Sequence, residues 1–168
     1  MNYFAYGSNC DPERFVSRVG PWKSVRRGRL EGYRLRFADS VRSEGGGGAV
    51  IDPVAGAHVY GVLFEINEEQ IAAMDREEFD PARDVSQVGR RICVQVQTDD
   101  GTVDAQCYTV VDAGGFHPPS ERYLGHILRG LEAAGHDEAA LSVIRNAARG
   151  PTQTGSGLTL PQMWQCET

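Results

Sequence analysis

Residues 90–111 read RRICVQVQTDDGTVDAQCYTVV, and this stretch decides the class of fold. Apolar and polar residues alternate from Arg90 to Gln97 and again from Thr102 to Val111, the period of strands with one buried face. Between them, Asp99-Asp100-Gly101 supplies the residues that tight hairpin turns demand, so the two strands are antiparallel neighbours. After Val111 the pattern turns helical. Ser120 can cap a helix whose apolar stripe is Tyr123, Ile127, Leu128 and Leu131, ended by Gly135, and Asp137 can cap a second through Leu141 and Ile144 to Gly150.

Upstream, strands dominate. Asn2 to Tyr6 forms a short aromatic strand that stops at Gly7-Ser8-Asn9, and Asp11-Pro12 then reads as an N-cap with proline at the first helical position. Leu35 and Phe37 alternate with Arg34 and Arg36, Val59 to Ile66 is apolar enough for a central strand, and Gly45 to Gly48 reads as a loop. Asn67 with Gln70 forms a capping box for a helix to Arg76 or Glu78, which Asp80-Pro81 ends. Strands up to residue 111 and helices after it make the class α+β: a small mixed, mainly antiparallel sheet, curled or closed into a barrel, with helices packed against it.

A chain of 168 residues buries roughly 70% of its unfolded surface as one domain, here placed at 1–150 with a tail at 151–168. The net charge of −6 argues against a protein that holds nucleic acid or anionic membrane through a broad basic field. The longest apolar run, Val59 to Phe64, is far short of the roughly 20 residues of a membrane span, and no basic region precedes a signal core, so a cytoplasmic protein is expected. Cys10, Cys93, Cys107 and Cys166 lack metal or disulfide spacing and are expected to be small buried hydrophobes, while His58, His117, His126 and His136 are given surface or capping roles. Neither metal nor cofactor is expected. In the tail, Leu158, Leu160, Met163 and Trp164 are too apolar to stay in water, so this segment should dock on its own domain or on a second copy, the latter giving a homodimer.

The first stretch with chemical potential is Tyr6-Gly7-Ser8-Asn9, where glycine lets backbone approach a ligand and successive N–H groups can face an anion; read alone it is simply a turn. In context, Tyr3-Phe4-Ala5-Tyr6-Gly7-Ser8-Asn9 resembles the opening signature of the γ-glutamylcyclotransferase family. Gly48-Ala49-Val50-Ile51 with Val59-Tyr60-Gly61-Val62-Leu63-Phe64 resembles its second motif, and Met74-Asp75-Arg76-Glu77-Glu78 its acidic segment. Pro118-Pro119-Ser120 leading to Tyr123 resembles the start of its later helix. The likeness spans residues 3–150 in order.

That resemblance implies a reaction: release of 5-oxoproline from a small-molecule γ-glutamyl amide by attack of its own α-amine. Glu78 would be the glutamate that acts as acid and base, the loop Tyr3 to Asn9 would hold the γ-glutamyl group through N–H groups around Gly7 and Ser8, and Tyr108 and Tyr123 would stand near the pocket. Without the family, Glu77-Glu78 reads as a solvated helix end, although a helix C-terminus and the neighbouring Phe79 favour a basic carboxylate. Two departures matter. Val88-Gly89-Arg90 lacks a tyrosine that members often carry before the basic residue, which supports an alternative, a binding or regulatory module without turnover. Cys10 replaces a usual leucine. Asn9 stands where the glutathione-cleaving branch shows leucine, which points away from glutathione.

Overall fold

The computed structural model describes residues 1–43, 45–78, 89–110 and 113–150, with backbone alone for residues 39–43. The helix stop at Asp80-Pro81, Cys166 and the tail at 151–168 lie outside these residues. Five strands, β1 (Asn2–Ala5), β2 (Ser24–Ser43), β3 (Gly46–Glu65), β4 (Gly89–Thr98) and β5 (Gly101–Val110), close into a barrel in the order β1-β3-β2-β4-β5. Neighbours run antiparallel except at the closing seam, where β1 meets β5 in parallel through Tyr3 and Gln106. Around the barrel pack α1 (Pro12–Val19), α2 (Glu68–Glu78), α3 (Glu121–Ala133) and α4 (Glu138–Arg149).

The helix starts follow from their caps. Asp11 Oδ1 accepts the Glu13 and Arg14 N–H groups at 3.0 and 3.4 Å, Ser120 Oγ accepts that of Tyr123 at 3.2 Å, and Asp137 Oδ1 that of Ala140 at 3.0 Å. At α2 the box is reciprocal: Gln70 N–H donates to Asn67 Oδ1 (2.8 Å) and Asn67 N–H to Gln70 Oε1 (3.1 Å). The hairpin between β4 and β5 turns at Asp99-Asp100, with Thr98 opposite Gly101.

Two expectations need correction. The glycine run is not a loop: only Gly45 lies in the turn, and Gly46, Gly47 and Gly48 open β3. Their smallness serves contact, because a Cβ on Gly46 would lie 2.2 Å from Ser120 N and one on Gly47 2.2 Å from the His117 carbonyl oxygen. The backbone strap before α3 runs directly over them, with Gly47 N–H donating to Pro118 O at 3.0 Å. Second, Cys93 is exposed, since it faces outward between Ile92 and Val94 on β4, whereas Cys10 and Cys107 are buried.

β2 and β3 each run 20 residues, far beyond the apolar patches that mark them, and form one long hairpin. A register shift between Glu31 and Tyr33 bends it around the barrel. Inside, the Phe4 ring lies against Gly28 and Gly61, while Phe15 of α1 stacks on Phe64 with ring centroids 4.2 Å apart and Trp22 closes edge-on at 5.9 Å. This aromatic plug fixes α1, and with it the loop that precedes it, against the barrel end.

Candidate functional site

β1 ends at Ala5, and the chain turns through a 3-10 turn at Ser8–Cys10 before Asp11 starts α1. Cys10 N–H donates to Gly7 O at 3.0 Å, so the turn is tight. Asp11 anchors it from outside: its second oxygen, Oδ2, receives Arg129 Nη2 and meets His126 Nδ1, both at 2.7 Å and both from α3. Burial pushes the Asp11 carboxyl up, but the bonds from His126, Arg129 and the Arg14 and Glu13 N–H groups outweigh it and hold the group below the usual carboxylate range.

Behind this turn lies a cavity of about 110 Å³. Of the residues singled out in the sequence, Tyr3, Tyr6, Gly7, Ser8, Asn9, Glu78, Tyr108 and Tyr123 line it. Phe4 and Ala5 do not. Strand alternation sends Phe4 into the barrel interior, and Ala5 contributes its carbonyl to the Cys10 thiol at 3.2 Å. Burial pushes that thiol far up, which makes Cys10 a packing residue rather than a nucleophile.

Glu78 is the last residue of α2, and its side chain is 27% exposed. The buried Asn9 amide sits at the centre of its surroundings. Asn9 Nδ2 lies 3.4 Å from Glu78 Oε1, 3.1 Å from the Tyr3 hydroxyl and 3.4 Å from Met74 Sδ, while Asn9 Oδ1 accepts Arg18 Nη1 at 2.9 Å. Arg18 fixes which way the amide points, because only Oδ1 can accept from a guanidinium; the donor end must then face Glu78. The same Nη1 is 3.8 Å from Glu78 Oε1. Burial raises the Tyr3 hydroxyl well above its ordinary value and the charge of Glu78 adds to this, so Tyr3 remains protonated.

On the opposite wall, Tyr108 donates to Asp75 Oδ1 at 2.7 Å, and Arg91 Nη1 holds Asp75 Oδ2 at 2.8 Å. Burial, then the bond to Asp75, pushes the Tyr108 hydroxyl up. The Tyr6 hydroxyl donates to the Tyr108 carbonyl oxygen, which ties β1 to β5 at the cavity. Tyr123 reaches in from α3, and its oxygen accepts the Ala49 N–H at 3.1 Å and faces the Ser8 N–H. Gly7 must be small here, since a Cβ would stand 3.0 Å from that hydroxyl. The Ser8 N–H, expected to face the substrate, is thus directed at Tyr123; the hydroxyl is kept protonated by burial, and among the described residues its proton has no acceptor.

Sequence reading missed Arg18 and Arg91 as residues of the site and Ala49 and Thr109 as its lining. Arg18 carried a faint signal: Arg14 and Arg18 are four apart on the predicted α1, but nothing in the sequence says that this face turns to Asn9. Gly89, where the tyrosine is missing, lies on the cavity wall. Among the described residues no group of three or more His, Cys, Asp or Glu side chains could hold a metal ion, and no helix is long and apolar enough to cross a membrane.

The closed five-stranded barrel with four helices packed around it has the γ-glutamyl cyclotransferase fold. The chain belongs to the AIG2-like family, whose family model matches residues 58–141. A solved gamma-glutamyl cyclotransferase superposes with a TM-score of 0.75 at 25% identity, over 95% of this chain and 93% of that one. The crystal structure of uncharacterized protein loc79017 from Homo sapiens gives the same TM-score at 26% identity and the same two coverages. A gamma glutamyl cyclotransferase specific to glutathione from yeast shares the fold, with a TM-score of 0.57 at 12% identity over 91% of this chain and 99% of that one. No curated protein matches the chain.

Proposed function

We propose that this protein is a γ-glutamyl cyclotransferase that releases 5-oxoproline and an amine or amino acid from a γ-glutamyl amide by intramolecular aminolysis. A fold hosts many activities, so the site has to carry the reading. The observation that carries it is Glu78, a half-buried carboxylate on the cavity wall, oriented by an Asn9 amide that Arg18 locks in place. In that setting Glu78 takes a proton from the substrate α-ammonium, and the freed lone pair forms the C–N bond to the γ-carbonyl carbon while the carbonyl π pair moves onto oxygen. The Tyr123 hydroxyl donates to that oxyanion. Collapse re-forms the carbonyl and breaks the bond to the departing nitrogen. Two of the three ammonium protons end on the leaving amine, the third stays on the lactam nitrogen, and Glu78 returns to its starting state.

The small cavity favours the γ-glutamyl group itself as the buried part of the substrate, with the leaving group toward the opening. Asn9 in place of leucine argues against glutathione. The test is 5-oxoproline release from a panel of γ-glutamyl amino acids, amines and glutathione, run beside Glu78→Gln. Loss of a general acid or base costs about 10²- to 10⁴-fold in rate, and Glu77→Gln, at an exposed position, should leave the rate unchanged. Binding of γ-glutamyl compounds without release of 5-oxoproline would instead establish the module without turnover, with Gly89 as the wall position to explain it.

A further inference from the structure

Beside α4, an apolar groove of about 490 Å³ runs between β2, the strap before α3 and α4. Its floor is Leu35, and its walls are Phe116, Val143 and Ala147. Phe116 and Val143 are two of the few large apolar side chains that stand exposed among the described residues, each at 38%. Arg34, Arg36 and His58 stand at the rim, and the Arg36 guanidinium is already engaged by Asp52 at 2.6 Å. Nothing in the reaction above uses this groove.

Gly150, which ends α4, forms one end of the groove, and the Phe116 ring packs over it so closely that a Cβ there would lie 2.7 Å from Phe116 Cε1. The chain therefore leaves the barrel at the groove itself. The 18 residues beyond Gly150 contain Leu158, Leu160, Met163 and Trp164, and their only charged side chain is Glu167. We propose that residues 158–164 of the same chain occupy this groove, with Trp164 and Leu160 covering Phe116 and Val143. The seven residues between Gly150 and Leu158 make eight steps that span up to roughly 26 Å, ample to fold back along the groove. Charge favours this occupant: a segment without cations meets the exposed Arg34 unopposed, whereas a second copy joined face to face would set Arg34 against its own counterpart.

The chain has two tryptophans, Trp22 and Trp164, so full-length Trp22→Phe leaves Trp164 as the sole reporter and keeps an aromatic ring against the stacked Phe15 and Phe64. Its emission should be blue-shifted and its quenching by acrylamide several-fold weaker than in the same protein carrying Val143→Asp or, separately, Leu160→Ser. Leu160→Ser alters no residue of the described fold, so the comparison survives if Val143→Asp disturbs α4. Light scattering should give the monomer mass at every concentration where Trp164 is protected. Trp164 as quenchable as in the unfolded chain overturns the proposal; so does protection that ignores both variants, which places the segment elsewhere. Protection that appears only with the dimer mass assigns the groove to a second copy and overturns it equally.

Discussion

Asn9→Asp is nearly isosteric and swaps the donor that faces Glu78 for an acceptor. With 3.4 Å between Asn9 Nδ2 and Glu78 Oε1, the substitution sets two carboxylate oxygens at that separation. Coulomb's law gives about 5 kcal/mol of repulsion at an effective dielectric of about 20 and about 1 kcal/mol in bulk water. Because the Glu78 side chain is 27% exposed and the Arg18 guanidinium sits beside both groups, the lower half of that range applies, about 2 kcal/mol. That is roughly a 30-fold penalty on the doubly ionised pair. The sign is fixed: like charge favours a proton shared between the two, so the base form of the pair is reached only at higher pH. The assay is kcat/KM for 5-oxoproline release across pH 5 to 9. Asn9→Asp should lose most activity near neutrality and regain much of it in alkali, while Asn9→Ala, which removes the bonds without adding charge, should lose activity without alkaline recovery. Stability should mirror this, with Asn9→Asp weakest where both groups are ionised and recovering as pH falls. An unchanged profile in Asn9→Asp would refute the orienting role of this amide and the part given to Glu78.

Gly47→Ala should destabilise by about 1–3 kcal/mol, because the new methyl meets the His117 carbonyl at 2.2 Å; at roughly 2–4 °C per kcal/mol the melting temperature falls by several degrees, whereas Gly115→Ala, with nothing within 4 Å, should be neutral. The Asp11 carboxyl, held low, contributes stability that is full above its unfolded value of about 3.9 and is lost as pH falls through the folded one. Denaturant titrations of wild type and Asp11→Asn should therefore differ by about 1–2 kcal/mol at neutral pH and converge in strong acid; a gap independent of pH would sink the assignment. Turnover should survive exhaustive chelation and thiol alkylation, with Cys10→Ala assayed beside it. A loss restored by zinc or magnesium would overturn the proton-shuttle mechanism.

Local signals were legible wherever a few neighbouring residues set the geometry. The Asn67–Gln70 box, the caps at Asp11, Ser120 and Asp137 and the Asp99-Asp100 turn all stand where short-range chemistry placed them. The long hairpin was not legible in full, because its bend at Glu31 to Tyr33 breaks the alternation and its glycines look like a loop until the strap that crosses them is known. The cavity shows the same division. Tyr6 to Asn9 and Glu78 could be named from motifs, but the Arg18–Asn9 bond spans elements whose mutual angle is set by Phe15 stacking on Phe64, a tertiary fact. Phe4 and Ala5 belong to the opening motif as sequence, yet strand alternation and side-chain length keep them out of the cavity.

The closing seam of the barrel has a consequence for its motions. β2 and β3 share a ladder nearly their whole length, and β4 and β5 pair from end to end, but β1 and β5 are joined by one parallel bridge, the Asn2 side chain on the Asp104 carbonyl at 3.0 Å and the Tyr6 hydroxyl on that of Tyr108. Amide protons inside the two long ladders can exchange with solvent only when large parts of the barrel open, whereas a far smaller breathing motion parts the seam. Tyr3, Tyr6 and Tyr108 straddle that line. Parting this seam and widening the cavity are thus one motion, so a ligand that bridges these tyrosines should slow hydrogen exchange along β1 and β5 first and leave the β2–β3 hairpin untouched.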